Sequence, residues 1–145
     1  MSLLTIITIA FMVLEFSNVL ALYGKPDFKY ANAVGMFKAW DMSKEDPDMH
    51  DFVKYLVNWV AGTKLIFIFL LAVILIFGDD KTQTYAMLAL ILSILTFYWK
   101  LYPLIKKMDK NNQIDPKNYS KTLGLMILAF VLTISAAFIV SLINL

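Results

Sequence analysis

The chain has 145 residues, is 60% hydrophobic with a mean hydropathy of +0.70, and carries a net charge of only +2. That is more apolar surface than a soluble domain of this size can hide, so residues 1–145 read as one integral membrane domain. The lack of cysteine excludes disulfides, iron–sulfur clusters and cysteine nucleophiles; the single histidine argues against a haem held by two histidines or a histidine-built metal centre.

Four runs reach the roughly 20 apolar residues that a bilayer-crossing helix needs. They lie near residues 3–23, 57–77, 84–104 and 123–143, and they predict an all-α, antiparallel four-helix membrane bundle. The first run lacks a positively charged start and a small-residue cleavage site, so it reads as a span and not as a signal peptide. Within it, "MVLEFSNVLALYGK" places Glu15 and Asn18 in otherwise hydrocarbon-like sequence.

The connection 24–56 is long and patterned. Tyr30, Val34, Phe37 and Trp40 recur at the i, i+4, i+7, i+10 spacing of one helical face, which predicts a short amphipathic helix anchored in the membrane interface. In "EDPDMHD", Asp46 suits an N-cap and Pro47 the first helical position, so the second long helix is expected to start near Pro47, about three turns before the bilayer. The acids of this stretch complement the positive helix end, and no metal is expected there.

The second span contains "KLIFIFLLAVILIF", which places Lys64 inside it, and Asn58 and Trp59 fall near its start. The third carries Ala86, Ala89, Ser93, Thr96 and Lys100 on one stripe, with Tyr98 alongside; Pro103 ends or kinks it. Connection 105–122 reads as a solvated turn, and the last span offers Ala129, Thr133, Ala136, Ala137 and Ser141. Small and hydroxyl residues at such spacing predict close helix packing.

Lysine placement sets the expected orientation. All 13 cationic residues are lysines; ten fall in connections 24–56 and 105–122, and only Lys81 lies in the connection between spans two and three. The positive-inside rule then puts both lysine-rich connections in the cytoplasm and both termini outside. Tyr23, Tyr55, Trp59, Tyr98, Trp99 and Tyr102 crowd the same end.

An isolated charge at mid-membrane costs about 3 kcal/mol or more. Counting at 1.5 Å per residue puts Glu15 about 3 Å, and Lys64 about 4.5 Å, to the cytoplasmic side of their span centres. The shared depth predicts an intramembrane Glu15–Lys64 pair, either a pin for helix register or a functional carboxylate. Lys100 lies shallower, within reach of the headgroups. A sharper possibility is a pocket open to the cytoplasm, floored by Glu15 and Lys64 and walled by Asn18, Asn58, Trp59, Tyr98 and Lys100.

No phosphate loop, HExxH or nucleophile elbow is present, no cofactor is implied and no nucleic acid is expected. The favoured role is an accessory or assembly subunit, as a homo-oligomer or with a larger membrane-protein partner. The alternatives are an oligomeric carrier that uses the Glu–Lys pair, and a membrane enzyme for a lipid or apolar small molecule. Length and four-span layout are similar to the glutathione-using membrane proteins of eicosanoid metabolism. The arginine-rich motifs of that family have no counterpart in a chain without arginine, so no residue roles carry over.

Overall fold

A computed structural model describes residues 2–29 and 34–144. Its long helices are α1 (Leu3–Gly24), α3 (Pro47–Phe77), α4 (Asp80–Leu95) and α6 (Tyr119–Ile143), with short α2 (Lys38–Ser43) and α5 (Leu101–Lys110) at one end. Each long helix start has a chemical cause. Ser2 accepts from the Thr5 amide, and Asp79 from that of Thr82. Asp46 accepts from Asp48 and Met49 with Pro47 at the first position, as expected for the second long helix. The Asp109 carboxylate of α5 reaches across to the amides of Asn118 and Ser120 at 3.0 Å each, capping α6 from a neighbouring helix.

The third span departs from the single helix 84–104 expected for it. Helix α4 stops at Leu95, a 3-10 turn covers Thr96–Tyr98, and α5 starts at Leu101. Pro103 accounts for the break: its ring collides with the carbonyl four residues back, at Trp99, and it offers no amide to bond there. Tyr98 and Tyr102 then turn onto α6 at Gly124. The Tyr98 hydroxyl donates to the Gly124 carbonyl at 2.6 Å, and the Tyr102 ring lies where a Cβ on that glycine would be.

Around the bundle the order is α3, α1, α6, α4. Helix α1 packs along both α3 and α6, and α4 along α6. The Thr8 hydroxyl of α1 lies 3.3 Å from the Met87 sulfur, and Thr84 meets Ser141 at 2.7 Å, so hydroxyls tie α4 to α1 across the bundle and to α6 beside it. Although consecutive in sequence, α3 and α4 meet mainly at their turn, where the Gln83 amide donates to the carbonyls of Leu75 and Gly78. Beyond the turn they leave a gap.

Large side chains outside the bundle settle its solvent. Phe69 is 62% and Ile76 is 71% exposed, with Leu125 and Leu132 likewise outward. Such apolar exposure is stable only against hydrocarbon, and four helical segments are long and apolar enough to cross a bilayer. This is a membrane protein. At about 46 Å, α3 exceeds a hydrocarbon core of about 30 Å, leaving some three turns to project.

Those turns support the lysine-rich end. There the first and third connections are zipped together by an isolated bridge between Phe37 and Ile114, flanked by Lys38 N–H to Gln113 O at 3.0 Å and Asp115 N–H to Met36 O at 2.9 Å. The first connection does hold a short helix, but the expected face running from 30 to 40 is not one helix. Tyr30 lies outside the described residues, Val34 opens a 3-10 turn, and the backbone is extended at Phe37. Trp40, on α2, is 3% exposed and packs inward with Val19, Leu22 and Val57. Burying the indole in the protein, where its N–H finds the Asp27 carboxylate, outweighs laying it on the membrane surface. Gly35 makes the fold-back possible, since a Cβ there would strike the Asp27 carbonyl.

Candidate functional site

Glu15 and Asn18 stand three residues apart, hence on one face of α1, and that face meets α3 where Ala61 and Val19 are fully packed. The antiparallel approach brings in Lys64. Its ammonium donates to Glu15 Oε2 at 2.7 Å and to Asn18 Oδ1 at 2.6 Å. Glu15 and Lys64 side chains are only 24% and 20% exposed. Opposite charges this close offset much of each other's desolvation, and the Asn18 carbonyl satisfies a second ammonium proton.

This cluster forms part of a groove of about 860 Å³ in the gap between α3 and α4. Phe11 and Glu15 form its back, Phe67, Leu71 and Ile74 one wall, and Ala86, Ala89, Ser93 and Ile94 the other. Lys100 and Leu101 line it at the lysine-rich end. The span-three stripe of small residues therefore faces open space and not a neighbouring helix. In the last span, Ala137 is buried and Ser141 bonds to Thr84, while Ala129, Thr133 and Ala136 face outward. On the far side of Lys64 a smaller cavity of about 200 Å³ lies under the first connection, lined by Asn18, Val34 and Phe37. Lys64 thus lines both spaces.

Of the residues expected to wall a pocket, the structure assembles Glu15, Lys64 and Lys100 in one groove, with Asn18 behind them. Three others do not join it. Asn58 is exposed, and Trp59 is 63% exposed, its ring 6.1 Å from Tyr55 on the outer face of α3. Tyr98 is committed to Gly124. The helical period explains both α3 corrections: Asn58 and Trp59 lie six and five residues before Lys64, well off its face. The walls are also far more apolar than a polar pocket would be, because the opening runs sideways between helices.

A second polar cluster, not anticipated from sequence, fixes the lysine-rich end. Asp27 accepts from the Trp40 indole and from Lys44 at 3.0 Å. Lys44, then Trp40, hold its carboxyl below the ordinary range. Lys29, bonded to Asp115 at 2.9 Å, does the same for that acid. Buried Ser43 directs its proton to the Trp40 carbonyl at 2.7 Å, so Nδ1 of His50 is the donor in the 2.9 Å contact with the Ser43 oxygen. That hydroxyl is engaged as a structural link, not poised as a nucleophile. Only its partners could have revealed the cluster, and they lie in separate segments.

No family model, curated protein or solved structure matches the chain.

Proposed function

We propose that this is a membrane-embedded binding protein for a lipid or similar amphiphile, held in the lateral groove between α3 and α4. The observation that carries this reading is a groove of about 860 Å³ with aliphatic and aromatic walls and an internally paired charge cluster at its back. Its size falls in the range of roughly 300–1,000 Å³ typical of ligand sites, and apolar walls with a few convergent polar groups are their usual chemistry. A sideways opening admits a molecule already dissolved in the bilayer. The ten-to-one lysine distribution supports a cytoplasmic position for the zipped connections, with both termini outside.

One feature favours a second reading, that of an assembly subunit. Ala86, Ala89 and Ser93 are small enough to let a helix of a partner or of a second copy approach closely in the same gap. Purification in mild detergent separates the two. A retained lipid is the expected result; a stoichiometric protein partner with no lipid would give the groove to a helix.

A further inference from the structure

We propose that the groove takes an anionic phospholipid from the leaflet at the lysine-rich end, its phosphate on Lys100 and an acyl chain lying along α3 and α4 past Glu15. This rests on the lipid-binding reading above and adds the headgroup and the direction of entry. The charges at the back of the groove cannot hold an ionic head, because Lys64 is already bonded to both Glu15 and Asn18 and the pair has no net charge. Lys100 differs. It lines the same groove, is exposed, and meets no carboxylate among the described residues. It sits at the break between α4 and α5, its ammonium 5.5 Å from the outward-facing Trp99 ring, an arrangement suited to headgroup depth.

The surroundings add to this charge. Lys106, Lys107 and Lys110 on α5 form no ion pairs among the described residues, and the only acid of that helix, Asp109, is turned to the start of α6. Basic pockets between membrane helices are suited to anionic headgroups, and lysine binds phosphate as a compact point charge. The dimensions agree. The groove wall along α4, from Ala86 to Leu95, is nine positions, about 14 Å of helix, against about 15 Å for half of a hydrocarbon core, with Lys100 just past its end.

The test uses the full chain in mild detergent and native mass spectrometry with dioleoyl phosphatidylglycerol, dioleoyl phosphatidylcholine and oleate. One phosphatidylglycerol should be retained in preference to the other two. Lys100→Gln should weaken that retention about five-fold, the factor one lysine near an anionic surface contributes. Phosphatidylcholine retention should fall by less, because its choline cation offsets the phosphate charge, and Lys81→Gln at the opposite end should have no effect. Melting temperature is recorded for each variant to show that it is folded. Equal retention of the two phospholipids, preference for oleate, or indifference to Lys100→Gln would overturn the headgroup assignment and leave the groove reading intact. Failure to retain any amphiphile would overturn both.

Discussion

Lys64 on α3 lies 2.7 Å from the Glu15 carboxylate on α1, inside two helices otherwise built for hydrocarbon. A partly buried charge that loses its partner keeps its desolvation cost and loses the compensation. Glu15→Gln and Lys64→Met should therefore each lower the melting temperature in detergent, while the double variant recovers much of the loss. A coupling of about 1 kcal/mol or more in this cycle marks a direct interaction. Additive losses would mean that the two groups do not act as a pair.

The zipped connections carry a pH dependence. Asp27 and Asp115 both sit below the ordinary 3.8, held there by Lys44 with Trp40 and by Lys29. Depressed carboxyls contribute stability that is complete above about pH 4 and is lost as pH falls through their folded values. Protection of the Lys38 and Asp115 amides, taken relative to their intrinsic exchange at each pH, should fall below pH 4, and Asp27→Asn should remove part of that dependence while leaving protection in α6 unchanged. A flat profile between pH 6 and 3 would refute the linkage.

Gly124 is the close-approach point between α6 and the broken third span. A Cβ there would fall 2.7 Å from the Tyr102 ring. Gly124→Ala should destabilise by about 1–3 kcal/mol through overpacking, and Tyr102→Leu in the same chain should relieve it. Tyr98→Phe should cost about 1 kcal/mol, the worth of one hydrogen bond. An unaffected Gly124→Ala would show that the tyrosines do not rest on this glycine.

Orientation is read by single cysteines in a chain that has none. With the lysine-rich end cytoplasmic, an impermeant maleimide applied to intact cells should label position 80 and spare 44 and 112. The reverse pattern would invert the protein in the bilayer.

Much of this was legible in sequence because helical rise is fixed. Counting residues from span centres places Glu15 and Lys64 at one depth, and a cap followed by proline places the start of α3 at Pro47. The groove was not legible. Small residues at Ala86, Ala89 and Ser93 read equally as a packing face or a cavity wall, and periodicity does not say which helices diverge. Trp40 misled for a related reason. Its helical spacing was real as a pattern, but its burial depends on Asp27 and on the bridge from Phe37 to Ile114, a pairing between distant segments. The break at Trp99 was foreshadowed by Pro103, with its position set by the carbonyl four residues earlier.

An amphiphile in the space between α3 and α4 can be tested by filling that space. Ala89→Trp puts an indole into that space from an exposed position on α4, where it displaces no packed side chain. Lipid carried through purification is then counted by mass spectrometry in wild type and variant, with melting temperature recorded in parallel. About one bound lipid per wild-type chain and none in the variant is the expected result, at an unchanged or higher melting temperature. Equal lipid retention by a folded Ala89→Trp protein would contradict it.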